Sequence, residues 1–254
     1  MSFLKSFLIA FSIYSKIPVR QFTWNEKDIK YLFCFFPWVG AVAGGCVYLW
    51  NRFCYAYDVG ALCRVTMTMT ILLFLTGGIH VDGFMDTMDA FHSYQPRERK
   101  LEILKDAHIG AFAVIMLAAY GLVYAGAFSE IEDQSLLCIV CCGFFLSRSL
   151  CGISVVSFPL AKQDGMLFLF VSGAQKKIVR VSLCLQGIVC IGFMLAFSLF
   201  AGGLVTAAAL LSFAAYAHQC RKALGGITGD TSGYFILLSE ICMLIAAAAI
   251  HILT

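Results

Sequence analysis

What most limits how this chain can fold is a run of about twenty apolar residues, nearly free of charge, that recurs along it. Runs of this kind occupy roughly 31–50, 60–78, 109–128 and 135–158, then 178–217, and return near the C-terminus. In hydrocarbon a backbone has no water to bond with, so each run reads as a membrane-crossing α-helix. Composition agrees: 61% of residues are hydrophobic and 13% charged, with mean hydropathy +0.86. A soluble domain carries about 25% charge. The stretch 178–217 is too long for one helix, and Gly202-Gly203 offers a place to divide it. The expected fold is therefore all-α, a polytopic bundle of about seven transmembrane helices. It forms a single integral membrane domain over residues 1–254, with the last span ending near His251. The opening MSFLKSFLIAFSIYSKIPV lacks a small-residue cleavage site and reads as an interfacial helix.

Charge orients this layout. Lys5, Lys16, Arg20, Lys27 and Lys30 precede the first span. Arg97, Arg99, Lys100 and Lys105 follow the second, Lys162, Lys176, Lys177 and Arg180 the fourth, and Arg221 and Lys222 the sixth. All fall on one side, which the excess of Lys and Arg makes cytoplasmic. Arg52, Arg64 and the acidic Glu130, Glu132 and Asp133 fall on the other. The net charge of +3, with no aromatic-interleaved basic patch, gives no support to nucleic-acid binding. Most of the twelve cysteines sit in apolar runs. Cys138, Cys141 and Cys142 lack a second ligand pair at zinc spacing and read as small apolar side chains.

Against this background the stretch HVDGFMDTMDAFH, His80 to His92, stands out. Asp82, Asp86 and Asp89 are spaced i, i+4, i+7, at about 0°, 40° and −20° around a helix. Three carboxylates on one stripe repel each other, and a hard divalent cation such as Mg2+ relieves the conflict. A solvated acidic face is the plain alternative. The apolar Phe84, Met85 and Met88 inside the motif, and Gly77-Gly78 before it, speak against that.

Three further features carry charge or unusual backbone. Within ERKLEILKDAHIGAF, Lys105, Asp106 and His108 suit phosphate and metal contacts, whereas Arg97, Arg99 and Lys100 read as a juxtamembrane segment facing anionic lipid. RKALGGITGDTSGYF combines Gly225, Gly226, Gly229 and Gly233 with Thr228, Asp230, Thr231 and Ser232. A glycine-rich loop that opens a helix is an anion site, although an ordinary helix cap explains the same residues. Arg148 lies inside a span and needs a partner, either an internal acid or a substrate phosphate; Glu240 is likewise too deep to stand unpaired. His80, His92 and His218 fit structural positions as well as functional ones. Together these features suit transfer of a phosphoryl-linked group at a membrane, with positioning and electrostatics supplying most of the rate.

GGIHVDGFMDTMDAFHS, EILKDAHIGAF, LSRSLCG with the later AKQDGM, and GGITGDTSGYFILLSE resemble the motifs of the adenosylcobinamide-GDP ribazoletransferases, the cobalamin-5′-(phosphate) synthases. The resemblance runs from FSIYSKIPV into the last span. It implies a Mg2+-dependent enzyme of late vitamin B12 assembly in the bacterial inner membrane, its active site facing the cytoplasm. The implied substrates are adenosylcobinamide-GDP and α-ribazole or its 5′-phosphate, with GMP released. It implies no nucleic-acid partner and leaves a homo-oligomer open.

Carried onto these motifs, the catalytic positions are Asp82, Asp86, Lys105 and Asp106. The substrate contacts are His80, His108, Arg148, Lys162, Gly226, Thr228, Gly229 and Thr231. The metal ligands are Asp82, Asp86, Asp89 and Asp230. The sequence departs from the family pattern at Ala90, at Ala107-His108, at Lys162 and at Leu237. Two other readings compete. A CDP-alcohol phosphotransferase also clusters aspartates, but Asp82-Gly83 here lacks the following Ala-Arg. A cation-coupled transporter would place its charges near the midplane, with inverted repeats that are not evident here.

Overall fold

The computed structural model describes residues 2–20, 23, 25 and 28–253. Lys27, one of the basic residues used above, lies outside the described residues. Among them are eleven α-helices and an isolated bridge between Leu160 and Ile227. The helices are α1 (Ser2–Tyr14), α2 (Phe36–Ala56), α3 (Ala61–Thr76), α4 (Ile79–His92), α5 (Arg97–Ile103) and α6 (Ala111–Ser129). There follow α7 (Gln134–Ser157), α8 (Gly165–Gly173), α9 (Lys176–Phe197), α10 (Leu199–Leu224) and α11 (Gly229–Leu253). A 3-10 turn, Leu32–Phe35, leads into α2.

Six helical segments are long and apolar enough to cross a membrane: Leu32–Ala56, α6, α7, α9, α10 and Gly229–Ile250 of α11. The remaining expected span, 60–78, corresponds to α3, after which α4 turns away by 94°. The cause is local. Gly77 and Gly78 both have positive φ, +63° and +77°, which ends α3 and starts α4 in a new direction. The carboxylate helix thus lies across one end of the bundle, outside the spans.

One expected boundary moves. The long apolar stretch divides at Ser198, not at Gly202-Gly203. Ser198 is extended, and its hydroxyl caps α10 by accepting from Ala201 N at 3.2 Å. Gly202 serves the packing instead: a Cβ there would lie 2.3 Å from the Met194 carbonyl oxygen, so its absence lets α10 fold back on α9.

Helix α7 is the hub, with α2, α9, α10 and α11 all packed on it. Its buried charged residue is Arg148, 1% exposed, ion-paired with Glu240 of α11 and donating to the Phe144 carbonyl and Ser147 Oγ, both at 3.0 Å. Arg148 and Glu240 are therefore each other's partner, the first of the two options that the sequence leaves open. At the far end Arg64 donates to the carbonyls of Ile131 (3.2 Å) and Ser129 (3.4 Å), closing the turn after α6. The twelve cysteines are unpaired thiols.

Candidate active site

Three segments distant in sequence meet at one end of the bundle. The first joint is between α4 and α11. Gly83 sits against the start of α11, where an added Cβ would come within 2.7 Å of the Asp230 carbonyl oxygen. This close approach sets Asp82 beside Asp230. The second joint is backbone to backbone: Ala161 N donates to Ile227 O at 2.8 Å, and Ile227 N to Pro159 O at 2.9 Å. Gly226 permits it, because a Cβ there would lie 2.5 Å from Pro159 O. The third joint is the ion pair of Lys105 with Asp164, 3.0 Å, exposed to solvent.

Asp82, Asp86 and Asp89 share one helix, as their spacing predicts. Asp82 is exposed and Asp86 half-buried. Burial, then the charges of Asp82, Asp230 and Asp89, push the Asp86 carboxyl up to about 6. Asp89 is differently engaged. Its two carboxylate oxygens accept from Gly110 N (2.7 Å) and Ala113 N (2.8 Å), so it caps α6 from outside. A helix N-terminus, with unpaired amides and a partial positive charge, occupies the carboxylate that spacing alone assigns to a metal. Among the described residues no three His, Cys, Asp or Glu side chains converge as a ready metal shell. The carboxylates that remain are Asp82, Asp86 and Asp230. An all-oxygen donor set of this kind, with Asp86 already strained by its neighbours' charge, fits a hard cation such as Mg2+.

The loop of α11 is built on a reciprocal cap. Thr231 N donates to Thr228 Oγ1 at 3.1 Å, and Thr228 N to Thr231 Oγ1 at 2.8 Å. Both threonines are buried, Thr231 fully, and both shape the loop. Gly229 is the exposed member, with open space where its Cβ would be. Lys162 is half-buried; burial lowers its pKa, and Asp230 works against that. Lys105, Asp164, Lys162 and Asp230 thus form an alternating row of charge.

Asp106 and His108 are engaged with each other. Both are exposed, and Asp106 Oδ1 pairs with His108 Nδ1 at 2.6 Å and accepts from His108 N at 3.0 Å. The histidine contacts hold the Asp106 carboxyl below its usual value. His92 is structural: Nδ1 bonds the Met88 carbonyl at 2.9 Å and the ring stacks on Phe112. His80 is buried with Nε2 unpartnered. A 210 Å3 cavity opens beside Asp82 and Asp230 and runs back past His80 to Tyr14, Phe36 and Phe170. Asp164, Tyr14, Phe36 and Phe170 are site residues to which sequence reasoning gave no role. AKQDGM signals Asp164, while the aromatic residues sit unmarked in apolar runs.

The family model described as Cobalamin-5-phosphate synthase matches residues 6–248. The chain belongs to the cobalamin-5-phosphate synthase family. Curated relatives named adenosylcobinamide-GDP ribazoletransferase include one from Lachnoclostridium phytofermentans, 40% identical over 243 residues, 95% of this chain and 92% of the relative. Another, from Clostridium perfringens, is 30% identical over 94% of this chain and 95% of its own length. One from Treponema denticola is 31% identical over 98% and 99%. No solved structure matches the chain.

Proposed function

We propose that this cobalamin-5-phosphate synthase family member joins adenosylcobinamide-GDP to α-ribazole or α-ribazole 5′-phosphate and releases GMP. The relatives' name and the family match support the reaction. The observation that carries its placement is the meeting of Asp82 and Asp86 with Asp230 beside Lys162 at one end of a membrane bundle. An oxygen of the acceptor forms a bond to the phosphorus attached to cobinamide, and the bond from that phosphorus to the GMP oxygen breaks. The acceptor's proton departs as the new bond forms.

Mg2+, held by Asp82, Asp86 and Asp230, would neutralise pyrophosphate charge. Lys162, beside Asp230, supplies a cation to the same phosphates, and exposed Gly229 leaves backbone room for them. Lys105 and Asp164 tie the α5–α6 and α7–α8 loops together around this spot. Asp89 takes part by fixing α4 to α6, and Arg148 by fixing α7 to α11. The basic loops beside the site support a position on the cytoplasmic face of the bacterial inner membrane.

The test is GMP release by purified protein, with each substrate omitted in turn and with Mg2+ or EDTA. Release that needs both substrates and the metal supports the proposal. Release without the acceptor would make the chain a hydrolase, and none at all would remove the assignment.

A further inference from the structure

Beyond its two carboxylates, the 210 Å3 cavity is walled mainly by apolar and aromatic side chains from α1, α2, α4, α7, α8 and α11. Tyr14 of α1 lies 4.3 Å, ring to ring, from Phe36 of α2. His80 of α4 lies 6.1 Å from Phe36 and 6.5 Å from Tyr14. Leu167 and Phe170 of α8 close another side. Among the described residues of this lining, His80 Nε2 is the buried side-chain nitrogen or oxygen without a hydrogen-bond partner. His80 itself is 5% exposed. An atom so placed is costly to the empty protein and available to a ligand.

Size and chemistry narrow the occupant. An apolar cavity of about 150 Å3 holds one benzene ring, so this one has room for a fused pair of rings. The wall suits an aromatic face and satisfies few polar edges. Guanine could donate to Asp82 and Asp230 at one end, but its O6 and N7 acceptors would lie unpaired against the aromatic wall. A benzimidazole has one free ring nitrogen.

We propose that this cavity holds the base of the acceptor nucleoside, a fused two-ring heterocycle packed on Tyr14, Phe36 and Phe170, with its free ring nitrogen accepting a hydrogen bond from His80 Nε2–H. The proposal rests on the transfer reaction given above, in which the acceptor is a ribazole. Seated this way, the base points the ribose at Asp82 and Asp230, and α8 becomes the element that selects the base.

The test separates the two substrates. GMP release is measured with purified full-length protein while each substrate is varied. His80→Ala is expected to raise KM for α-ribazole about tenfold, the scale of one lost buried hydrogen bond, with KM for adenosylcobinamide-GDP within twofold. His80→Gln, which keeps a donor, is expected to recover part of the loss. Leu167→Trp, which fills the cavity, is expected to act like His80→Ala. Leu117→Trp fills the neighbouring cavity between α3 and α6, which His80 also lines; it tests which of the two holds the base and is expected to change neither KM.

If the cavity variants raised KM for the guanylated substrate alone, the cavity would hold guanosine and the proposal would be overturned. The same holds if Leu117→Trp were the variant that weakened α-ribazole. Wild-type protein gives an independent check by equilibrium dialysis of labelled α-ribazole. Free benzimidazole should displace the label and guanine should not; equal displacement by both would refute the assignment. Wild-type protein that bound α-ribazole with this preference yet released no GMP would sink the reaction and leave the cavity's preference standing.

Discussion

At the scale of single residues, the four aspartates divide into two kinds that spacing cannot separate. Asp89 holds two amides at the head of α6, whereas Asp82 is exposed beside Asp230. Asp89→Asn should therefore cost about 1 kcal/mol of stability, the scale of a lost cap, and lower the thermal midpoint by about 2–4 °C. Asp82→Asn, which removes a charge that repels Asp86, should not lower the midpoint and should cut turnover by about 100-fold or more. Thermal denaturation and GMP release on the two purified variants check both outcomes.

Asp86 adds a pH signature. Its carboxyl is raised to about 6 in the fold from 3.8. Between those values the native state holds a proton that the unfolded chain has released, so stability falls as pH rises through this window. Metal-free protein in EDTA should melt higher at pH 5 than at pH 7.5. Asp86→Asn, or saturating Mg2+, should flatten that difference.

Among the elements, α7 and α11 share the ion pair of Arg148 and Glu240, both nearly excluded from solvent. Removing one member leaves the other buried and unpaired, at about 3–5 kcal/mol. Arg148→Met should destabilise the protein by that order. Adding Glu240→Leu should restore most of it, as read by thermal denaturation in detergent. If Arg148 instead gripped a substrate phosphate, the double variant would fold and still lose turnover. The sequence marks both residues as needing partners, yet they stand 92 positions apart, and only packing shows that they choose each other. The boundary at Ser198 was hidden for a related reason. Glycine is the expected breaker, but here Ser198 caps the new helix while Gly202 gives up its side chain to contact.

For the molecule as a whole, hydropathy and basic loops made the layout legible: helices in order, motif loops at one end. That layout carries a prediction. A reporter fused after the C-terminus should read as outside the cell, and a thiol introduced as Lys105→Cys should react only from the cytoplasmic side. The carboxylate stripe was equally legible, because a period of 3.6 is intrinsic to a helix. The aromatic cavity was not. Tyr14, Phe36 and Phe170 are apolar residues among many, and they gain a role when α1, α2 and α8 converge.

Helix α3 has one more consequence. Its 16 residues rise about 24 Å, against a hydrocarbon slab of about 30 Å. A span this short is matched by a thinner bilayer, by flanking side chains that reach out to the headgroups, or by neighbouring helices that screen it. The thickness of the surrounding membrane therefore bears on the end of the bundle where α3 hands over to α4 and its aspartates.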